Sequence, residues 1–251
     1  MDSPLAIVLA AGKGTRMKSD LPKVLCRACD RPLVEYVIDA LRVAGVERIV
    51  IVVGYKSELV KEALSHYDNL EFAEQTEQLG TGHAVMMCQP QITHHDGPVV
   101  VVAGDSPLLQ TSSIGELLSE FKKSRPSCIL GTLIHENPTG LGRIIRGDGG
   151  DFQGIIEEKD ATEAQKLIRE VNMSTYVFDC HPLISALGKL TDDNQQNEYY
   201  ITDVPKLMQE EGLNIQALPV LKPIEALSVN TLDHLAEVES VMTRNSDSDA
   251  S

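Results

Sequence analysis

The sequence predicts an α/β fold, a Rossmann-like doubly wound sheet whose strands are mainly parallel. Three largely apolar runs, LAIVLA, ERIVIVVG and PVVVVAGD, have the length and continuous apolar character of strands buried on both faces. Segments with apolar residues at helical spacing separate these runs, and this alternation is typical of a parallel sheet. Such sheets bind ligands at the carboxyl ends of their strands, so we expect the site there.

The first half of the chain alternates strands and helices in a regular order. A glycine-rich turn follows the first strand, and Pro32 opens a helix that Gly45 ends. The predicted elements are strands at 5–10, 47–54, 70–74, 98–105 and 128–134, and helices at 33–45, 57–67, 81–89 and 111–124.

The alternation changes after this point. Two short runs around a turn at 147–150 predict a β-hairpin, and we expect a second, smaller lobe to begin with it. The polar end RNSDSDAS predicts a disordered tail. The remaining predicted elements are a strand at 171–178 and helices at 161–169, 181–190, 203–211 and 231–243.

Composition is that of a globular protein and argues against polyanionic partners. Of 251 residues, 42% are hydrophobic and 24% charged. The start resembles no signal peptide and no apolar run reaches the length of a membrane span, so we expect a cytoplasmic protein. The net charge of −15 argues against nucleic acid or an anionic membrane as a partner. Residues 1–31 nevertheless contain six basic and three acidic residues, which indicates a small anionic ligand.

The five cysteines predict neither a disulfide framework nor a metal site. They are scattered and odd in number, so we expect free thiols. Cys26 and Cys29 form a C-x-x-C pair, but a structural zinc site needs a second pair or well-spaced histidines.

The loop LAAGKGTRMKSDLPK, residues 9–23, carries the strongest chemical signal. Gly12 and Gly14 allow a close approach of the backbone to phosphate oxygens, and Lys13, Arg16 and Lys23 supply positive charge. A dinucleotide fingerprint needs a third small residue further on, and a Walker A loop needs a closing G-K-[ST], and both are missing here. A polyphosphate-binding loop is the interpretation, with a tight turn carrying solvated basic residues as the alternative.

Seven motifs together resemble a known family. LAAGKGTRM and LPKVL are followed in order by EQLGTGHA, GDSPLL, PTGLGRI, EEKDAT and EYYITD. This set resembles the uridyltransferase domain of the bifunctional N-acetylglucosamine-1-phosphate uridyltransferases, the GlmU family, over about residues 4–243. The resemblance implies a nucleotide-sugar transferase fold with a small sugar lobe that contains the β-hairpin. It also implies Mg²⁺-dependent transfer of a uridylyl group from UTP to N-acetylglucosamine 1-phosphate, with release of pyrophosphate.

The resemblance also divides the chain. It implies one nucleotidyltransferase domain at 1–243, with a nucleotide-binding part at about 1–135, a sugar-binding part at about 136–230 and a disordered tail at 244–251. The chain lacks the hexapeptide repeats of the family's acetyltransferase β-helix, so we expect no acetyltransferase activity. Because that β-helix carries the family's trimer contacts, the oligomeric state stays open.

The residues that would act on the phosphates come from three places in the chain. Arg16 and Lys23 are the candidates for stabilising charge on the α-phosphate and the leaving pyrophosphate. Asp105 follows a buried strand and offers a carboxylate to Mg²⁺. By resemblance alone, Asn230 is the second protein ligand of the metal. Without the resemblance, Asp105 would be interpreted as a helix cap, and Asn230 as a turn residue or the N-cap of the last helix.

The resemblance assigns the substrate-binding residues as well. Gln75 offers a donor and an acceptor that match the uracil edge, and Glu157 offers acceptors to sugar hydroxyls. The expected nucleotide-binding residues are Leu9, Ala10, Ala11, Gly12, Gly14, Lys23, Gln75, Gly80, Thr81, Ala103 and Gly104. The expected sugar-binding residues are Gly142, Glu157, Asn172 and Asn230.

Two departures from the family pattern concern the sugar pocket. Ala103 replaces an aromatic residue, and Met173-Ser174 replaces the usual Thr-Gly after Asn172. Galactosamine- and muramic-acid-type acceptors therefore stay open, as does a related transferase that uses glucose 1-phosphate or an alcohol phosphate. A non-catalytic nucleotide sensor is the alternative from another class of protein.

Overall fold

A computed structural model describes residues 2–17 and 19–249, so Lys18, one of the six basic residues near the start, lies outside it. Within these residues, nine strands form one mixed sheet and two more form a small hairpin. The strands are β1 (Leu5–Leu9), β2 (Arg27–Ala28), β3 (Arg31–Pro32), β4 (Arg48–Val53), β5 (Leu70–Glu74), β6 (Pro98–Ala103), β7 (Cys128–Ile134), β8 (Gly142–Arg146), β9 (Phe152–Ile156), β10 (Glu170–Asp179) and β11 (Ile215–Leu218).

The helices connect these strands and cover the sheet. They are α1 (Leu33–Val43), α2 (Ser57–Ala63), α3 (Thr81–Met86), α4 (Gln89–Ile92), α5 (Thr111–Ser124), α6 (Glu163–Lys166), α7 (Cys180–Leu187), α8 (Val204–Glu210) and α9 (Leu232–Asp249). In the described part of the chain, no helix combines the length and apolar character needed to cross a bilayer.

The sheet order confirms the predicted doubly wound, mainly parallel architecture. The strands run in the order β11-β7-β10-β6-β1-β4-β5, and β8 extends the sheet from β10 with β9 beside it. β6, β1, β4 and β5 are parallel, whereas β10 lies antiparallel between β6 and β7. The parallel strands end at one edge, so the residues after each of them meet there.

Burial on both faces explains the continuous apolar runs. Along β1, Leu5 and Ile7 belong to a core with α3, α7 and α8, whereas Ala6 and Val8 belong to a core with α1, α2 and α5. Successive side chains of a strand point to opposite faces, so two helical layers require apolar residues at every position.

A third, smaller core holds the carboxyl-terminal helix against the start of the chain. Met17, Leu108, Val229 and Val238 are buried together there. Met17 follows Arg16 and Val229 precedes Asn230. This core therefore brings two distant parts of the chain to the same edge of the sheet.

Most of the predicted elements are confirmed, with differences at their ends. α2 and α6 are shorter than predicted, and β2, β3 and β11 were not predicted. α9 continues to Asp249, so the predicted end of that helix near 243 is wrong, and of the predicted tail at 244–251 only residues 250 and 251 lie outside the described residues. The cysteines are free thiols, four of them buried, with Cys29 exposed.

The predicted hairpin is confirmed as β8 and β9. It is joined to the main sheet because Gly142 and Arg143 pair with Asn172 and Val171 of β10. The hairpin is therefore an extension of the sheet, and β10 is the strand that links it to the parallel strands.

Candidate active site

A cleft of about 300 Å³ opens at the carboxyl ends of the parallel strands. Its walls come from the loop after β1, the residues after β5, the end of β6 and the middle of β10. Ten predicted site residues line it, namely Leu9, Ala10, Ala11, Gly12, Lys23, Gln75, Gly80, Thr81, Ala103 and Asp105. The sequence reasoning missed Gln78 and Glu198, which also line it.

The loop after β1 is held by backbone hydrogen bonds to neighbouring strands. The Ala10 amide donates to Val52 O at 2.9 Å, and the Gly104 amide donates to Leu9 O at 3.0 Å. Gly14 has a φ of 65°, and a Cβ there would lie 2.5 Å from Lys23 Cβ. Only glycine fits that conformation and that contact. A Cβ at Gly12 would contact nothing within 4 Å, so Gly12 exposes the backbone of the loop.

Four predicted side chains converge beside this loop. Lys23 forms an ion pair with Asp105, and its Nζ donates to Asn230 Oδ1 at 2.6 Å. Arg16 Nη2 donates to the same Asn230 oxygen at 3.0 Å. The two contacts with Asn230 join residues more than 200 positions apart in the chain. The backbone supports them, since the Val229 amide donates to Asp105 O at 3.1 Å.

The direction of Lys23 is fixed by the residues around it. Pro22, with φ of −50°, precedes a short 3-10 turn at Lys23–Leu25. Val24 and Leu25 are buried and anchor this turn in the core. The Lys23 side chain keeps an exposed fraction of 15%. It therefore reaches the cleft from a rigid support instead of from a mobile surface loop.

Asp105 and Asn230 suit a hard divalent cation. Asp105 Oδ2 and Asn230 Oδ1 both contact one cationic atom, Lys23 Nζ, so the two oxygens converge on a single point. A carboxylate and an amide oxygen are ligands that Mg²⁺ accepts, with phosphate oxygens and water completing its shell. Among the described residues, no group of three His, Cys, Asp or Glu side chains could hold a metal.

Gln75 and the segment after it form the far wall of the cleft. Gln75 is buried, and its Nε2 donates to Gly80 O at 2.9 Å and lies 3.1 Å from His83 Nδ1. Gly80 has a φ of 105°, and a Cβ there would lie 2.6 Å from Tyr199 O. Thr81 Oγ1 accepts a hydrogen bond from the Ile201 amide at 3.1 Å. The motifs EQLGTGHA and EYYITD therefore pack against each other.

Gly142, Glu157 and Asn172 form a second group that reaches the cleft through β10. A Cβ at Gly142 would lie 3.6 Å from Asn172 Cβ and 3.7 Å from Glu157 Oε1. Among the described residues, these three do not line the cleft itself. Ser174, two positions after Asn172, does line it. Three of the four predicted sugar residues are therefore together, whereas the fourth, Asn230, lies with Arg16 and Lys23.

The two adjacent glutamates 157 and 158 have different surroundings. Glu158 pairs with Arg143, whose side chain is almost fully buried, at 2.6 Å. Glu157 Oε1 accepts a hydrogen bond from Thr202 Oγ1 at 3.0 Å. Burial raises the pKa of Glu157, and the Asp203 and Asp160 carboxylates act in the same direction. Glu158 is thus engaged in the structure of the hairpin, whereas Glu157 is a half-buried carboxylate beside Gly142.

A comparison with known families decides the type of protein. A family described as "MobA-like NTP transferase domain" matches residues 6–150, which is more than half of the chain. The chain belongs to this family. The matched residues include the loop after β1, Lys23 and Asp105. The predicted nucleotidyltransferase class is therefore confirmed.

Curated relatives of this NTP transferase domain are named Bifunctional protein GlmU. The protein from Bacillus licheniformis is 40% identical over 242 residues, 96% of this chain and 53% of its own length. The protein from Listeria welshimeri is 42% identical over 244 residues, 97% of this chain and 53% of its own length. The chain thus spans about half the length of these relatives. The resemblance to the GlmU family drawn from the motifs is confirmed.

Two solved structures share the fold of the NTP transferase domain. UDP-glucose pyrophosphorylase complexed with UDP-glucose superimposes with a TM-score of 0.79 at 18% identity, covering 97% of this chain and 100% of that one. The apo form of a UDP-glucose pyrophosphorylase gives a TM-score of 0.77 at 17% identity, covering 97% of this chain and 99% of that one. At these identities the likeness establishes the fold, which is the predicted nucleotide-sugar transferase fold.

Proposed function

We propose that the chain transfers a uridylyl group from UTP to N-acetylglucosamine 1-phosphate, with Mg²⁺ as cofactor. The observation that carries this proposal is the convergence of Arg16, Lys23, Asp105 and Asn230 beside a phosphate-type loop. Nucleotidyl transfer depends mainly on positioning and on neutralising phosphate charge, and these side chains supply both. The 40% identity to proteins named GlmU supports the choice of substrates.

In this reaction an oxygen of the sugar 1-phosphate attacks the α-phosphorus of UTP. The bond from that phosphorus to the bridging oxygen breaks, and pyrophosphate leaves with the electron pair. Lys23 and Arg16 stabilise the charge that develops on the α-phosphate and on pyrophosphate. Asp105 and Asn230 would hold Mg²⁺, which supplies further neutralisation of phosphate charge when bound.

Rearrangement of one ion pair belongs to this proposal. Lys23 Nζ contacts both oxygens that would hold the metal. If Asp105 and Asn230 held a divalent cation, the Lys23 ammonium would be free to contact the phosphates. Lys23 would therefore stay paired with the Asp105 carboxylate and the Asn230 amide oxygen until the charged substrate binds.

The nucleotide base would lie between the loop after β1 and Gln75. Gly12 leaves the loop backbone uncovered, and Gly80 lines the same cleft. Gln75 Nε2 and Gly80 O are hydrogen-bonded to each other, and a uracil edge would replace each as the partner of the other.

The acceptor sugar would lie on the β10 side, near Gly142, Glu157 and Asn172. Glu157 accepts hydrogen bonds from sugar hydroxyls in this arrangement. It has no role as a general base, because the phosphate of the acceptor is already ionised at neutral pH.

Pyrophosphate release from UTP with Mg²⁺ and N-acetylglucosamine 1-phosphate tests the proposal. Asp105→Ala and Lys23→Ala are each expected to lower kcat by about 10²- to 10³-fold, because charge stabilisation in the transition state is lost. Lys122→Ala and Asp148→Ala change exposed residues of the same types away from the cleft and serve as controls. Equal activity of Asp105→Ala and the wild type would refute the assignment of the metal site.

The same assay separates two alternatives. The fold neighbours named UDP-glucose pyrophosphorylase make glucose 1-phosphate the second acceptor to test. Release with glucose 1-phosphate alone would keep the mechanism and change the acceptor. UTP binding without release from any sugar 1-phosphate would identify a nucleotide sensor.

A further inference from the structure

Ala103 and Ser174 bring two neighbouring strands together at the cleft. The antiparallel pairing of β6 with β10 joins Val101 to Tyr176. Two positions further along, β6 reaches Ala103 and β10 reaches Ser174. Both residues line the cleft and are half-buried. Ala103 and Ser174 thus form one wall of the cleft, and Ala103 lies two residues before Asp105.

A bulge in β10 presents Ser174 to this wall. Asn172 pairs with Thr132 and Tyr176 with Leu130, so β10 advances four residues while β7 advances two. Ser174 lies inside this irregularity with φ of 52°. A residue with a Cβ rarely adopts this conformation, and where it persists it is frequently at a ligand site. Bulges commonly redirect a side chain next to a binding site, as this one does.

Hydrogen bonds connect Ser174 to the predicted sugar residues. The Ser174 amide donates to Asn172 Oδ1 at 3.3 Å, and Asn172 Nδ2 donates to the Tyr176 hydroxyl at 2.7 Å. Asn172 in turn lies against Gly142, next to Glu157. Ser174 is therefore located where the phosphate end of the cleft meets the acceptor residues.

We infer that Ala103 and Ser174 form the contact that selects the acceptor sugar, an inference that rests on the proposed function. The Ala103 methyl leaves room beside the sugar ring, and Ser174 Oγ can both donate and accept a hydrogen bond. The space beside Ala103 and the Ser174 hydroxyl together fit a sugar whose ring hydroxyl has the inverted, galacto configuration. The pair therefore admits N-acetylgalactosamine 1-phosphate as well as N-acetylglucosamine 1-phosphate.

The charge near the pair restricts this range to neutral sugars. Glu198 lines the same cleft, and the half-buried Glu157 carboxylate lies beside Gly142. An acceptor that carries its own carboxylate, as a muramic-acid-type sugar does, would meet like charge there. Discrimination is thus expected between neutral and acidic hexosamines, and not between the two neutral epimers.

The experiment measures kcat/KM for each acceptor with UTP and Mg²⁺. The wild type is expected to use the galacto acceptor within about tenfold of the gluco acceptor and the muramic-type acceptor at least about 100-fold less well. Ala103→Tyr fills the space, and Ser174→Ala removes the hydroxyl while keeping the Cβ at the same φ. Each is expected to lower kcat/KM for the galacto acceptor at least about tenfold more than kcat/KM for the gluco acceptor.

Controls separate a selective contact from a general loss. Ser185→Ala changes an exposed serine of α7 and should leave the ratio of the two acceptors unchanged. UTP binding and the thermal unfolding midpoint show whether Ala103→Tyr folds, and Ser174→Ala tests the inference independently if it does not. Turnover of the gluco acceptor alone, or an equal loss for both acceptors in the variants, would overturn the inference while leaving the proposed function intact. Absence of turnover with every sugar would instead overturn the proposed function.

Discussion

The proposed nucleotide side and the proposed sugar side of the site are built in different ways. On the proposed nucleotide side, Gly12 and Gly80 bring backbone groups to the cleft, and Gly14 and Gly80 have positive φ. On the sugar side, the candidate contacts are the side chains of Glu157, Asn172 and Ser174, which lie on the hairpin and on the irregular strand β10. The first arrangement tolerates little change in the backbone, whereas the second can change specificity by single side-chain substitutions.

Among the substitutions that test the difference between the two sides, Gly80→Ala is expected to have the largest effect. A Cβ at Gly80 would lie 2.6 Å from the Tyr199 carbonyl oxygen, at a φ of 105°. The backbone must shift, and the Gln75 hydrogen bond to Gly80 O shifts with it. We expect the free energy of unfolding to fall by about 1–3 kcal/mol. We also expect KM for UTP to rise at least about tenfold, a change of 1.4 kcal/mol or more.

Gly115→Ala is the matched control for that change. Gly115 lies inside α5, and a Cβ there would contact nothing within 4 Å. Alanine in a helix interior stabilises by about 0.5–1 kcal/mol relative to glycine, so this variant should unfold at a higher denaturant concentration. An unchanged KM for UTP in Gly80→Ala would show that UTP binding does not depend on the close contact between the Gly80 and Tyr199 backbones.

Glu157→Gln tests the sugar side and is expected to have an intermediate effect. Gln keeps an acceptor for Thr202 Oγ1 but removes the negative charge. KM for the sugar 1-phosphate should rise about tenfold while KM for UTP stays unchanged. A rise in both constants would show that Glu157 supports the fold and makes no separate contribution to the sugar side.

The pH dependence of Glu157 follows from its burial, which raises its pKa. As pH falls through the raised pKa, the carboxylate gains a proton and loses acceptor capacity, so KM for the sugar 1-phosphate rises. Because the pKa is raised, this rise should begin at a higher pH than it would with an ordinary glutamate. The free energy of unfolding changes in the opposite direction. The stabilising contribution of protonated Glu157 is fully present below the usual pKa of glutamate and is lost as pH rises through the raised pKa. Glu157→Gln should remove both dependences, and the wild-type profile minus the variant profile excludes ionisation of the substrate phosphate.

Strands, helices and loops were predictable where a short stretch of sequence determines their structure. β4 and β6 are continuous apolar runs, and the loop between Gly12 and Lys23 carries its chemistry within a few residues. β11 and the bulge around Ser174 were not predicted, because β11 is only four residues long and the bulge depends on pairing with other strands. Asn230 required the resemblance, because its contacts with Arg16 and Lys23 join the two ends of the chain.

Val238→Ala should produce the smallest effect and shows what the third core contributes. Val238 in α9 is fully buried with Met17 and Val229, which adjoin Arg16 and Asn230. Removing two methyl-sized groups should lower the free energy of unfolding by about 1.5 kcal/mol. Because the Val229 amide still donates to Asp105 O, kcat should change less than about threefold. Val43→Ala, an exposed position, should change neither quantity. A large loss of kcat without a loss of stability would mean that α9 sets the position of Asn230 directly, so the site would depend on this helix more than on the backbone bond to Asp105.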